Sequence, residues 1–140
     1  MIREMTISDL VSLKKIYYQT RLHAFDWLMP NAIQLEDFTQ DTEGEKIWVA
    51  ELDAEVVGFV SAWEPENYIH HLFVLPQFAG RKIGTQLLDV CMANIARPAS
   101  LKCVSANTKA LEFYKARGWG TVSVGTDQWG EYQLMRVNET

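Results

Sequence analysis

Apolar residues along this 140-residue chain switch repeatedly between a helical and an alternating period, and the switches mark out its elements. Leu10, Leu13, Ile16 and Tyr17 recur at helical spacing behind Thr6 and Asp9, a pair suited to a capping box, so a helix is predicted from Thr6 to about Phe25. An irregular polar stretch follows. Residues Lys46 to Leu52 and Val56 to Trp63, rich in Val, Ile and aromatics and joined near Asp53, predict a hairpin, and a third strand runs from Tyr68 to Leu75, closed by Pro76.

From Gly84 to Ala96 the pattern becomes helical again. Ile83, Leu87, Leu88, Val90, Cys91 and Ile95 form an apolar face wide enough to need a sheet beneath it. Leu101 to Ser105 reads as a strand, Thr108 to Arg117 as a helix stopped by Gly118, and Thr121 to Val124 and Tyr132 to Val137 as closing strands. With a strand before the first helix, the order is strand, helix, three strands, helix, strand, helix, two strands. This is an α/β chain with a mixed sheet flanked by helices.

Composition narrows the setting. Hydrophobic residues at 48% and charged residues at 22% suit a single domain over residues 1–140. No apolar run is long enough to span a membrane, and the start MIREMTISDL lacks a secretory profile, so a cytoplasmic location with no membrane partner is expected. A formal net charge of -5 argues against nucleic-acid binding and favours a cationic acceptor. Cys91 and Cys103 read as core thiols, and no Cys/His grouping suggests a metal.

The segment Leu75 to Gly84, LPQFAGRKIG, joins a strand directly to a helix. Free amides at a helix start, a helix dipole and the charges of Arg81 and Lys82 suit a pyrophosphate, although an ordinary tight connection has the same composition. The run Leu72 to Leu88, LFVLPQFAGRKIGTQLL, resembles the acetyl-CoA-binding motif of the GCN5-related N-acetyltransferases (the GNAT family). That family's loop usually reads R/Q-x-x-G-x-G/A. On this register Ala79 stands first, Lys82 stands at the central glycine and Gly84 stands last, so two of three positions depart.

A second motif supports the resemblance. Asn107 to Trp119, NTKALEFYKARGW, fits the family pattern N-x-x-A-x-x-F/L-Y-x-x-x-G-F/W throughout. Asn107 stands where its amide can cap the helix or meet the pantetheine arm.

The resemblance implies a GNAT-like fold, acetyl-CoA as co-substrate, no metal, and a small-molecule or peptide amine as acceptor. It implies that the backbone of Leu72, Phe73 and Val74 holds pantetheine, and that Ala79, Gly80, Arg81, Lys82, Ile83 and Gly84 hold the pyrophosphate. Tyr114 then protonates the departing thiolate, a role suited to a phenol that stays protonated at neutral pH.

Several family members carry a glutamate base where this chain has Tyr68. Strand alternation places Glu66 and His70 on the face of Tyr68, with His71 opposite, so Glu66 or His70 is expected to act instead. His23 is a further candidate. Phe25, Asp26 and Trp27 fall where the family's acceptor loop lies. Two rival readings stay open: a non-catalytic acyl-CoA-binding module, and an unrelated α/β interaction domain. A homodimer is compatible with the sequence.

Overall fold

Seven strands form one sheet in the order β1-β2-β3-β4-β5-β7-β6. They are seen in a computed structural model that describes residues 1–24 and 33–138. Strand β1 (Ile2–Glu4) leads into α1 (Leu10–Ala24) through a 3-10 turn, Ile7–Asp9. Then come α2 (Asp37–Asp41), β2 (Lys46–Leu52), β3 (Glu55–Trp63), β4 (Tyr68–Val74), α3 (Ile83–Asn94) and β5 (Ala99–Val104). Helix α4 (Thr108–Lys115) precedes β6 (Gly120–Asp127) and β7 (Gly130–Val137).

The predicted order holds, with two differences. The short helix α2 falls inside the stretch read as irregular, since five residues are too few to show a period. The closing strands are longer than their apolar cores, because β6 is an edge strand whose side chains are mostly exposed.

Strand β3 is buried from Val56 to Ala62 because helices cover both faces of the sheet. On one face α1 and α2 pack Leu13, Ile16, Tyr17 and Phe38 against Val49 and Phe59. On the other, α3 and α4 lay Leu87, Leu88, Cys91, Leu111 and Tyr114 over Val57, Val60 and Leu101. Cys91 and Cys103 are buried free thiols, as expected.

Arg3 fastens the start of the chain. Its guanidinium bonds both oxygens of Asp9 at 2.8 and 2.9 Å and reaches Glu51 Oε1 at 2.9 Å, joining β1, the entry to α1 and the end of β2. Asp9 also accepts the Thr6 N–H at 2.8 Å, which is half of the predicted capping box.

Every neighbouring strand pair is antiparallel except β4 and β5, which run parallel and pair only at Tyr68↔Ser100 and Ile69↔Leu101. Beyond Ile69 the two strands part. Because β5 continues to pair with β7 as far as Val104, and β4 with β3 as far as Val74, the sheet opens into a V at this seam.

Candidate active site

The V forms one wall of a cavity of about 520 Å³. Leu72 and Phe73 line it from β4, Leu101 and Cys103 from β5, and Asn107 and Tyr114 from α4. Backbone groups of β4 that face the gap have no strand to pair with, which leaves hydrogen-bonding capacity for an extended ligand. This is where Leu72, Phe73 and Val74 were expected to act.

Helix α4 is built as its motif implies. Asn107 Oδ1 accepts the Ala110 N–H at 3.2 Å and so caps the helix, and the residue also lines the cavity. Gly118, at φ +91°, ends the helix in a left-handed conformation that costs glycine little, and Trp119 N–H returns to the Tyr114 carbonyl at 3.1 Å. Trp119 is thereby buried edge-on to Tyr114, with ring centroids 5.9 Å apart.

Tyr114 is buried, and no hydrogen bond holds its hydroxyl among the described residues, while its side chain reaches the cavity. Burial, with the nearby Cys103 and Cys91 thiols, pushes its pKa well above that of an ordinary phenol. It stays protonated.

The loop before α3 explains the departure at Lys82. This residue is the helix N-cap at φ +63° and ψ +18°, the left-handed region that favours glycine, so a lysine holds a conformation for which the family uses Gly. Its neighbour Gly80 is also left-handed, at φ +81°, and open space lies where its Cβ would be. No side chain caps α3, so its first amides remain free for an anion, and Arg81 and Lys82 are exposed beside them.

Ala79 is extended and Ile83 is buried, anchoring the helix start. Gly84 has ordinary room, since a Cβ there would meet Phe113 at 3.8 Å and Val74 at 3.9 Å. Arg117 ties the two helices together. Its Nη2 reaches Thr85 Oγ1 at 2.6 Å while the guanidinium lies 3.7 Å from the Phe113 ring centroid.

The expected alternation along β4 fails in two places. Glu66 lies in an exposed 3-10 turn, Glu64–Glu66, separated from the strand by Asn67 at φ +50°, and it does not line the cavity. The register with β3 then passes from Ser61↔His71 to Ala62↔Ile69, so His70 is the extra residue of a β-bulge. As a result His70 and His71, expected on opposite faces, lie side by side with ring centroids 3.9 Å apart.

Both histidines meet Glu45, a residue the sequence reading did not single out. His70 Nδ1 lies 2.5 Å from Glu45 Oε2, and His71 Nδ1 lies 3.9 Å from Glu45 Oε1. The Glu45 and His71 side chains are 7% and 8% exposed, against 38% for His70. With the carboxylate on Nδ1, the Nε2 of His70 is left as the free ring nitrogen. His23 is exposed on α1 and does not line the cavity. Phe25, Asp26 and Trp27 lie outside the described residues.

Behind the histidines runs a buried chain of hydrogen bonds. Tyr17 donates to Asp41 Oδ2 at 2.6 Å and stands 3.2 Å from His71 Nε2, while Ser61 Oγ stands 3.0 Å from His71 Nδ1. Burial, foremost, and the neighbouring His70 and Arg21 push the His71 pKa well below the usual value, so its ring is neutral. Buried Arg21 lies over the Tyr17 ring at 4.3 Å, pairs with Asp37 at 3.2 Å and completes this end of the cavity.

Comparison with known proteins agrees with this geometry. Residues 9–119 match the model of the Acetyltransferase (GNAT) family. An uncharacterized N-acetyltransferase of Archaeoglobus fulgidus is 28% identical over 134 residues, covering 83% of this chain and 90% of that protein.

Among solved structures, a GCN5-related N-acetyltransferase from Rhodopseudomonas palustris superposes with a TM-score of 0.81 at 20% identity, over 99% of this chain and 95% of that one. PaiA N-acetyltransferase from Thermoplasma acidophilum, solved in complex with coenzyme A, gives a TM-score of 0.80 at 17% identity, over 99% and 98%. The structures share the fold, the family model spans both motifs and the helix between them, and the chain belongs to the GNAT acetyltransferase family.

Proposed function

We propose that this protein transfers the acetyl group of acetyl-CoA to a primary amine by direct attack, and the observation that carries the reading is the parting of β4 from β5 beside Tyr114. The residues present suit the co-substrate. The unpaired edge of Leu72 to Val74 matches an extended pantetheine arm, and the uncapped start of α3 beside Arg81 and Lys82 matches a pyrophosphate. Acetyl-CoA supplies an activated acyl thioester. Coenzyme A in the Thermoplasma acidophilum protein of the same fold supports this choice.

The chain's own groups then divide the work. Backbone N–H groups on the parted strand polarise the acyl carbonyl, and Tyr114 donates its proton to the departing sulfur. His70, oriented by Glu45, accepts the proton of the attacking amine at Nε2, in place of the Glu66 that the fold leaves outside the cavity. Asp37, Asp41 and Asp127 against Arg21 and Lys102 give the acceptor end an acidic balance suited to a cationic amine.

Tyr114→Phe tests the assignment. Turnover on an amine found by screening is expected to fall by roughly 10²-fold, with acetyl-CoA affinity within about twofold of wild type. Unchanged turnover removes Tyr114 from the mechanism. Acetyl-CoA binding with no turnover on any amine class supports instead a non-catalytic acyl-CoA-binding module.

A further inference from the structure

The cluster of Glu45, His70 and His71 contains one buried atom with no hydrogen-bond partner among the described residues. Glu45 Oε1 is buried and accepts nothing from the described residues, although its carboxylate is enclosed by protein. An unsatisfied carboxylate oxygen in such a place is strongly unfavourable unless a cation or donor meets it.

His71 Nδ1, 3.9 Å away, cannot donate to it. Tyr17 has one hydroxyl proton and donates it to Asp41, so its oxygen must accept from His71 Nε2–H. The neutral His71 ring then carries its lone pair on Nδ1, which accepts the Ser61 O–H at 3.0 Å and stands 3.9 Å from Glu45 Oε1, so an ion takes this lone pair when the Ser61 hydroxyl turns its proton away. Two lone-pair donors therefore converge across a short gap, and His70 Nδ1 borders it.

We propose that Glu45, His70 and His71 form a binding site for a divalent transition ion of the zinc class, with Glu45 Oε1 and the two Nδ1 atoms as ligands and the cavity supplying the fourth position. Two imidazoles and one carboxylate are a donor set suited to zinc, which holds such ligands at about 2.0–2.2 Å. One ligand atom from each residue lies within 4.8 Å of the others, against a tetrahedral edge of about 3.4 Å, so the partly exposed His70 ring has only a small movement to make. His70 Nδ1 becomes available when the neutral ring carries its hydrogen on Nε2 instead.

A metal-binding imidazole usually donates its second N–H to an oriented acceptor, and here His71 Nε2, Tyr17 and Asp41 already form that support. The sequence shows no such grouping, because Glu45 is remote along the chain and only the bulge turns both histidines to one side.

An ion seated here holds His70 away from its proton-accepting role, so zinc is expected to inhibit acetyl transfer. This consequence alone rests on the function proposed above. The binding itself does not.

The test is calorimetric titration of the chelator-treated full chain with zinc chloride, without CoA, beside Glu45→Gln, His70→Asn and Tyr17→Phe. One-to-one binding in the micromolar range or tighter is expected in wild type. It should weaken by more than tenfold in Glu45→Gln and His70→Asn, and by about tenfold in Tyr17→Phe. Since His70 is a partly exposed bulge residue, His70→Asn keeps the test sound even if a more buried variant misfolds.

Absent saturable binding in wild type, or undiminished binding in His70→Asn and Glu45→Gln, overturns the site. Zinc binding in a protein that transfers no acetyl group leaves the site standing and removes the function. Acetyl transfer without zinc binding does the reverse.

Discussion

Lys82 shows how one residue's backbone can be read against its side chain. A non-glycine residue at φ +63° pays about 1–2 kcal/mol in sterics, and Lys82→Gly relieves that while adding roughly 0.5–1 kcal/mol of unfolded-chain entropy. Denaturant unfolding of Lys82→Gly is therefore expected to show a gain of at most about 1.5 kcal/mol. Acetyl-CoA affinity should fall by roughly two- to fivefold, more at low salt, because an exposed positive charge is lost beside the free amides of α3. A rise in affinity would show that the lysine obstructs the loop.

At the scale of elements, one contact sets the parted strand and another fastens the start of the chain. Gly58 on β3 faces β4, and a Cβ there would stand 2.8 Å from the Phe73 carbonyl oxygen and 3.3 Å from Val74 Cα, both backbone atoms. Gly58→Ala must push β3 from β4, at a cost of about 1–3 kcal/mol that thermal unfolding would register, and should weaken acetyl-CoA binding through Leu72 to Val74. Equal stability would mean that the seam yields freely.

The second contact is Arg3 with Asp9. Hydrogen bonds from the guanidinium, foremost, hold the Asp9 pKa at about 2, below its ordinary 3.8, against the opposing effect of burial. A lowered folded-state value stabilises the protein above the unfolded pKa, and the contribution is lost as pH falls from near 4 through about 2. Compared with Asp9→Asn, wild type should be more stable by roughly 2 kcal/mol at pH 7, with the difference closing below pH 2 in denaturant titrations.

Across the whole molecule, what the chain discloses depends on how far apart the cooperating residues lie. Helix α4 was legible because its cap, its tyrosine and its stop sit within Asn107 to Trp119, where 3.6-residue spacing and a left-handed glycine leave a local mark. The loop before α3 was legible as a direct strand-to-helix turn for the same reason. Its lysine was a puzzle until φ was known.

The cluster around Glu45 and Tyr17 was not legible. Tyr17 meets Asp41 across 24 residues, His70 meets Glu45 across 25, and the bulge that aligns the histidines is a property of β4's register with β3 rather than of either sequence. Alternation alone therefore chose Glu66, which the turn at Asn67 removes from the strand.

On the function proposed above, the gap between β4 and β5 holds acetyl-CoA with its pyrophosphate on α3. Isothermal titration of the purified chain with acetyl-CoA, beside Gly84→Glu, decides this. A Cβ at this position has ordinary room and a carboxylate suits a helix N-terminus, so the variant should fold while its charge repels the pyrophosphate. Binding of micromolar order, roughly -8 kcal/mol, that is lost in Gly84→Glu is the expected result. No binding by wild type at millimolar acetyl-CoA, or equal binding by both proteins, would contradict it.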